Sequence, residues 1–340
     1  MLANPLYKMF GRLLMACEVV RGSAIYPFDP RTRQMPSGKK RNHRRRALCN
    51  LSAAVSFDTA YAAVRPAGTG DENRTMVSDS KLRHAWYSVV HSLAGVEGDI
   101  VECGVYRGGT SMIMALAELH ALRKTRSSSL DSGTVSRTLW LYDTYEGLPP
   151  PDSAHDDPNA MARWTSAVNA SMLATAARDA IHTPYFDRQG TIRWNYGPIR
   201  VVANNMARTC YPRARIRYVK GKVEKTLHLA KTTNTLPEKI ALLRLDTDWY
   251  HSTKVELEML APRLVPGAVL IIDDYCSWAG AKKAVDEWLL TSSLQFEKIN
   301  KMKHKKFDPM LGRKVAIEYQ FGSRLEPCFT AHVLKKASSS

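Results

Sequence analysis

No apolar run in the chain approaches the roughly 18 residues of a membrane span. The stretch Leu2 to Val20 is interrupted by Pro5, Lys8, Arg12 and Glu18, so it can form an amphipathic arm but not a spanning helix. The six cysteines (Cys17, Cys49, Cys103, Cys210, Cys276 and Cys328) make no Cys-x-x-Cys pair and have no metal-ligand spacing. That excludes a thiolate metal site and reads as reduced, intracellular usage. No secretory signal pattern and no internal repeat is present, and a cytoplasmic protein is expected. The main glycine turn lacks the lysine of a phosphate-binding loop and is not spaced as Gly-x-Gly-x-x-Gly, which argues against nucleotide hydrolysis.

Acidic residues are scarce only at the ends. The formal charge is +17. Residues 1–50 hold eleven Lys/Arg against two acids and residues 297–340 ten against four, leaving 28 against 26 for the rest. The body is near neutral between two basic ends. The run Lys39-Lys-Arg-Asn-His-Arg-Arg-Arg46 suits a solvated arm, an organelle-targeting segment, or attraction to nucleic acid or an anionic membrane. It carries no interleaved aromatics, and a nucleic-acid partner is not expected.

The 340 residues suffice for one α/β domain with insertions or for two small domains. Residues 1–72 read as a basic arm and linker. From 73 onward strands alternate with helices: a helix over 80–93, a strand 99–105, a helix 110–123, a strand 138–142. Strands 215–219, 240–245 and 268–272 follow, interleaved with helices over 202–210, 252–264 and 279–290. Such alternation predicts a parallel sheet with helices on both faces. Two last strands, 294–299 and 314–320, predict a closing antiparallel hairpin and a seven-stranded sheet. Residues 151–200 lose strand patterning and carry Trp164, Tyr185, Phe186, Trp194 and Tyr196 among polar residues. An insertion of that length between sheet elements reads as an active-site lid or an unstructured loop.

Two apolar strands run directly into paired acids, Ala241-Leu-Leu-Arg-Leu-Asp-Thr-Asp-Trp-Tyr250 and Gly267-Ala-Val-Leu-Ile-Ile-Asp-Asp-Tyr275. The C-terminal ends of parallel strands open on the ligand crevice. Asp246, Asp248, Asp273 and Asp274 gathered there repel one another, and a hard cation such as Mg²⁺ relieves that repulsion. Aspartates that merely start turns or cap helices are the plainer alternative. Upstream, Glu102-Cys-Gly-Val-Tyr-Arg-Gly-Gly-Thr-Ser111 is a strand, a glycine turn and a helix start, which admits close approach of an anionic ligand. Asp143 ends the next strand, where nucleotide-binding sheets place an acid for ribose hydroxyls. A nucleoside site beside a cation site points to group transfer. Asp246-Thr-Asp248 alone also matches the Asp-x-Asp element of nucleotide-sugar glycosyltransferases.

Four segments in order, Glu102–Ser111, Tyr142–Pro149, Arg244–Thr253 and Leu264–Tyr275, resemble macrocin O-methyltransferases of the TylF type. The resemblance covers residues 73–320. It implies a Rossmann-like class I methyltransferase fold, S-adenosylmethionine and Mg²⁺ as cofactors, and a hydroxyl of a glycoside or polyol as acceptor. It places the metal on Asp246, Asp273 and Asp274, and the general base on Asp248, with His251 as an alternative. Cofactor contacts fall on Glu102, Gly104, Gly108, Gly109, Thr110, Ser111 and Asp143. Arg74–Val77 resembles the segment that covers the cofactor, adding Thr75 and Met76. Thr247 stands where the family usually has glycine, Lys222 where an adenine contact is expected, and the 151–200 insertion is longer than the family's lid. An RNA-modifying methyltransferase with basic tails is the remaining variant, and self-association into a homo-oligomer stays open.

Overall fold

The computed structural model describes residues 24–25, 56–66, 73–126, 135–176, 194–298, 301–308, 313–320 and 329–334. The basic run at 39–46, together with Tyr185 and Phe186, lies outside them. The strands are β1 Ala24–Ile25, β2 Asp99–Cys103, β3 Leu139–Asp143, β4 Ile216–Lys220 and β5 Ile240–Leu245. They continue with β6 Leu264–Ile272, β7 Phe296–Lys298, β8 Lys301–Asp308, β9 Arg313–Gln320 and β10 Phe329–Val333. The helices are α1 Phe57–Val64, α2 Asp79–Tyr87, α3 Gly109–Arg126 and α4 Pro158–Ala176. They are followed by α5 Ile199–Met206, α6 Val223–Thr232, α7 Tyr250–Leu260 and α8 Ala279–Thr291.

The main sheet has eight strands in the order β1-β4-β3-β2-β5-β6-β10-β7. From β4 to β6 every pairing is parallel. The order reverses between β2 and β5, so the crevice of this open sheet falls at their C-terminal ends. Pairing brings those ends level: Cys103 lies opposite both Tyr142 and Leu245, and Leu245 opposite Ile272. The ladder extends one residue further. Asp246 donates its N–H to Cys103 O, and Asp273 to Leu245 O, each at 2.9 Å.

β5 is buried along its whole length, as a central parallel strand requires. One core packs α1, α2, α3 and α5 on the first face, around Leu82, Trp86, Ile113 and Val202. The other packs α6, α7 and α8, around Leu227, Leu257, Leu260 and Val285. Ser56 and Ser78 accept the N–H groups of Thr59 and Lys81, and so cap α1 and α2.

Five expectations change. Within the presumed arm, α1 buries Phe57, Ala60 and Val64, and Phe57 meets Trp86 edge-on at 6.0 Å. Its apolar spacing is too short to stand out from an Ala-rich linker. The sheet has eight strands instead of seven, because two residues of β1 pair with β4. The closing strand is β10, paired antiparallel with β6 and β7, whereas 313–320 forms a separate two-stranded sheet with β8. A hairpin read from two neighbouring apolar runs misses a strand that returns from further along the chain. The helix expected over 80–93 becomes a π turn from Ser88. Cys103 is a buried free thiol, but Cys210 and Cys276 are disulfide-bonded, so the reduced reading does not extend to them. Among the described residues no helix is long and apolar enough to cross a membrane.

Candidate active site

A cavity of about 560 Å³ opens at the β2/β5 switch. Gly104 follows β2 there with φ +82°, and a Cβ on it would lie 1.8 Å from Asp246 O. Only glycine lets these two strand ends meet so closely. Gly109 is closed from behind, since its Cβ would lie 2.6 Å from Arg74 O and its N–H donates to that oxygen.

Asp143 holds the turn from β3. Its Oδ2 accepts the N–H groups of Val105 at 2.7 Å and Tyr106 at 3.0 Å, and its Oδ1 that of Tyr145 at 2.6 Å. Burial raises its pKa above the ordinary aspartate value while these backbone bonds oppose the shift. The Thr144 hydroxyl also lies 3.4 Å from Oδ1, but its one proton has a much shorter bond to Gly147 O at 2.6 Å, which leaves a lone-pair direction on Oδ1 for a further donor.

On the other side of the switch, Asp246, Asp273 and Asp274 bring one oxygen each within 4.8 Å of the others. Arg244, wholly buried in β5, runs through this group. It donates to Glu102 Oε1 at 2.9 Å, Asp246 Oδ2 at 2.8 Å and Asp273 Oδ1 at 2.6 Å. Lys81 of α2 pairs with the other oxygen of Asp273. Burial alone would raise Asp273, but Arg244 and Lys81 together hold it below the usual range. Burial, opposed by Arg244 and reinforced by Asp273, puts Asp246 at about 6. Burial and the charges of Asp248 and Asp246 push Asp274 well up. The acids outnumber the cations beside them, so the cluster is short of positive charge.

Asp248 has left-handed backbone, φ +69°. Its N–H donates to Asp274 Oδ2 at 3.1 Å and its Oδ1 accepts the indole N–H of Trp278 at 2.7 Å. Burial, then the charge of Asp246, raises it to about 7. The alternative of a helix cap does not hold for Asp248: the residue before α7 is Trp249, and no side chain caps that helix. Thr247 donates to the buried Glu256 at 3.0 Å, which fixes the loop between the two aspartates.

The structure brings Met76, Gly104, Asp143, Asp246, Asp248 and Asp273 to the cavity wall, with His251 beside them. Thr75, Glu102, Gly108, Gly109, Thr110, Ser111 and Asp274 do not line it. Glu102 is 1% exposed, bound by Arg244 and Ser111, and burial raises it to about 7. Its role here is to carry the Arg244 network to the glycine turn. Lys222 and Val223 line the cavity beyond Asp143.

The insertion reaches the same cavity through Asp152, Asp156 and Asn195. Asp156 clamps its start, accepting the N–H of Tyr250 from α7 and that of Asp152, both at 2.9 Å. Trp249 donates to Pro149 O at 2.8 Å. Sequence reasoning missed Arg244, Lys81 and Trp278. An arginine inside an otherwise apolar strand was the available signal for the first, since a buried charge demands partners. Lys81 and Trp278 give none, because their partners lie far along the chain.

A parallel sheet with a nucleoside-type turn and a carboxylate cluster across its switch point defines a Rossmann-like transferase fold of the class I methyltransferase kind. A family model described as macrocin-O-methyltransferase (TylF) matches residues 34–183 and 195–303, and the chain belongs to that family. It is similar to the 8-demethyl-8-(2,3-dimethoxy-alpha-L-rhamnosyl)-tetracenomycin-C 4'-O-methyltransferase of Streptomyces olivaceus, 32% identical over 59% of this chain and 62% of that one. It is also similar to the mycinamicin III 3''-O-methyltransferase of Micromonospora griseorubida, 29% identical over 63% and 69%. The match thus spans less than two thirds of the first relative. Among solved structures, the O-methyltransferase NovP overlays with a TM-score of 0.49 at 22% identity, covering 81% of this chain and 98% of that one.

Proposed function

We propose that this chain is an S-adenosylmethionine- and Mg²⁺-dependent O-methyltransferase acting on a sugar hydroxyl of a glycosylated natural product. The observation that carries it is the grouping of Asp246, Asp273 and Asp274, the first two of which line the same cavity as Gly104 and Asp143. The relatives, a rhamnosyl-tetracenomycin 4'-O-methyltransferase and a mycinamicin III 3''-O-methyltransferase, support a sugar acceptor.

The donor set fits the ion: three carboxylates crowded together, with no Cys or His in the triad, suit a hard cation. When bound there, Mg²⁺ lowers the pKa of a coordinated hydroxyl. S-adenosylmethionine supplies a methyl on a sulfonium, whose departure leaves a neutral thioether. Asp143 Oδ1 would hold the ribose, and the segment at Met76 would cover the cofactor. Arg244 keeps Asp246 and Asp273 aimed at the cavity and ties their position to the glycine turn through Glu102. Asp248, held through Oδ1 by Trp278, presents Oδ2 to take the acceptor's hydroxyl proton. The insertion, clamped by Asp156, closes the acceptor side and excludes water.

Calorimetry with S-adenosylhomocysteine tests the cofactor half. Binding to wild type and its loss in Asp143→Ala, with the fold intact by circular dichroism, is expected. No binding to the folded wild type would end the reading.

A further inference from the structure

A second group of metal-ligating side chains lies outside the carboxylate triad. Asp152 and His155 stand on the turn that opens the insertion, and His251 on the first turn of α7. His155 Nδ1 lies 2.7 Å and His251 Nε2 2.9 Å from one oxygen, Asp152 Oδ2. One donor atom from each residue falls within 4.8 Å of the others.

The three are held from behind. Asp152 Oδ1 accepts the N–H of Ala154 at 3.1 Å, and the Asp152 N–H donates to the buried Asp156 at 2.9 Å. The His155 ring stacks on Tyr250 at 4.4 Å, nearly parallel. Partners of this kind orient metal ligands and set their basicity. The hydrogen bond from His155, then those from Ala154 and His251, hold the Asp152 carboxyl down to about 2, so it is ionised at any working pH. The side chains are 34%, 37% and 50% exposed, and Asp152 and His251 line the cavity.

We propose that Asp152, His155 and His251 form a second divalent-cation site at the cavity rim, selective for a borderline ion such as Zn²⁺. Two imidazoles and one carboxylate match the donors Zn²⁺ prefers, whereas Mg²⁺ takes oxygen. At zinc bond lengths the donors of a tetrahedral site stand about 3.3 Å apart, so the present hydrogen-bonded set needs only a small opening. Three protein ligands leave a position on the cavity side for water or for an oxygen of a bound molecule. One cavity wall therefore carries part of a hard station, through Asp246 and Asp273, and part of a softer one, through Asp152 and His251. The site does not rest on the methyl-transfer reading, because it is stated for the cation alone.

The test titrates the full chain with Zn²⁺ against a chromophoric chelator, with Mg²⁺ in excess to occupy the carboxylate triad. One equivalent of Zn²⁺ that Mg²⁺ does not displace is expected. His155→Gln and His251→Gln, folded by circular dichroism, should each weaken it by more than ~100-fold, the upper range for disturbing even outer partners. In the wild type, Zn²⁺ should shield His155 and His251 from diethylpyrocarbonate, read by peptide mass, a measurement that needs no variant. Zinc binding that survives both substitutions, is displaced by Mg²⁺, or leaves the two histidines reactive overturns the proposal.

Discussion

The indole N–H of Trp278, at the threshold of α8, donates to Asp248 Oδ1 at 2.7 Å and fixes a carboxylate whose backbone is left-handed. The bond spans 30 residues and holds one oxygen of a residue that lines the cavity. Asp248→Asn should therefore lower kcat by ~10²–10⁴-fold, the usual loss for a positioned base, while S-adenosylhomocysteine binds as before. Trp278→Phe should cost less, about 1.5–3 kcal/mol of positioning for a bond to a charged group. Stopped-flow turnover with both variants decides it, and normal turnover in Asp248→Asn would leave that residue no part in proton removal.

Arg244 is the only cation in contact with Glu102, Asp246 and Asp273 together among the described residues. Replacing it with Met strands buried carboxylates, and removing one partner of a buried pair costs about 3–5 kcal/mol. Urea unfolding should show that loss. A variant as stable as wild type would mean that the carboxylates are satisfied without it.

Gly104→Ala places a methyl against Asp246 O where the backbone is already left-handed. Strain of about 1–2 kcal/mol from the left-handed conformation adds to the clash, so the melting temperature should fall and cofactor binding with it. An unchanged melting temperature would show that the β2/β5 contact is looser than the geometry states.

Cation binding should release protons. Asp246 sits at about 6 and Asp274 well above the ordinary value without a cation, so both hold protons at a pH where a free aspartate is ionised. A cation must displace them. Affinity for Mg²⁺ is thus full at higher pH and falls as pH drops through the region of about 6. Calorimetry in two buffers of different protonation enthalpy reads the proton count. Affinity that stays flat between about pH 8 and about pH 5.5 contradicts this.

The strand ends were legible because β5, apart from Arg244, and the second half of β6 are apolar runs that stop at acids, and Gly104 because a turn between strand and helix needs glycine. The bounds of β3, β5, α7 and α8 fall within a few residues of their sequence pattern for the same reason. What stayed hidden is tertiary. Glu102 is a cofactor contact by the family resemblance alone, and the sequence does not show that its oxygens also accept from Arg244 and Ser111. Thr247 reads as a departure from glycine, and its partner Glu256 lies a helix turn beyond the motif. Asp152 and His155 sit in a stretch without periodicity, so nothing in the sequence announces that His251 folds back on them.

On the proposed reading, a cation held by Asp246, Asp273 and Asp274 activates a sugar hydroxyl for methylation. The direct measurement follows label from methyl-labelled S-adenosylmethionine into a panel of glycosides bearing vicinal diols, with Mg²⁺ and with excess EDTA. A monomethylated sugar is expected with Mg²⁺, none with EDTA, and none from Asp273→Ala while that variant still binds S-adenosylhomocysteine. Equal transfer in EDTA would contradict it.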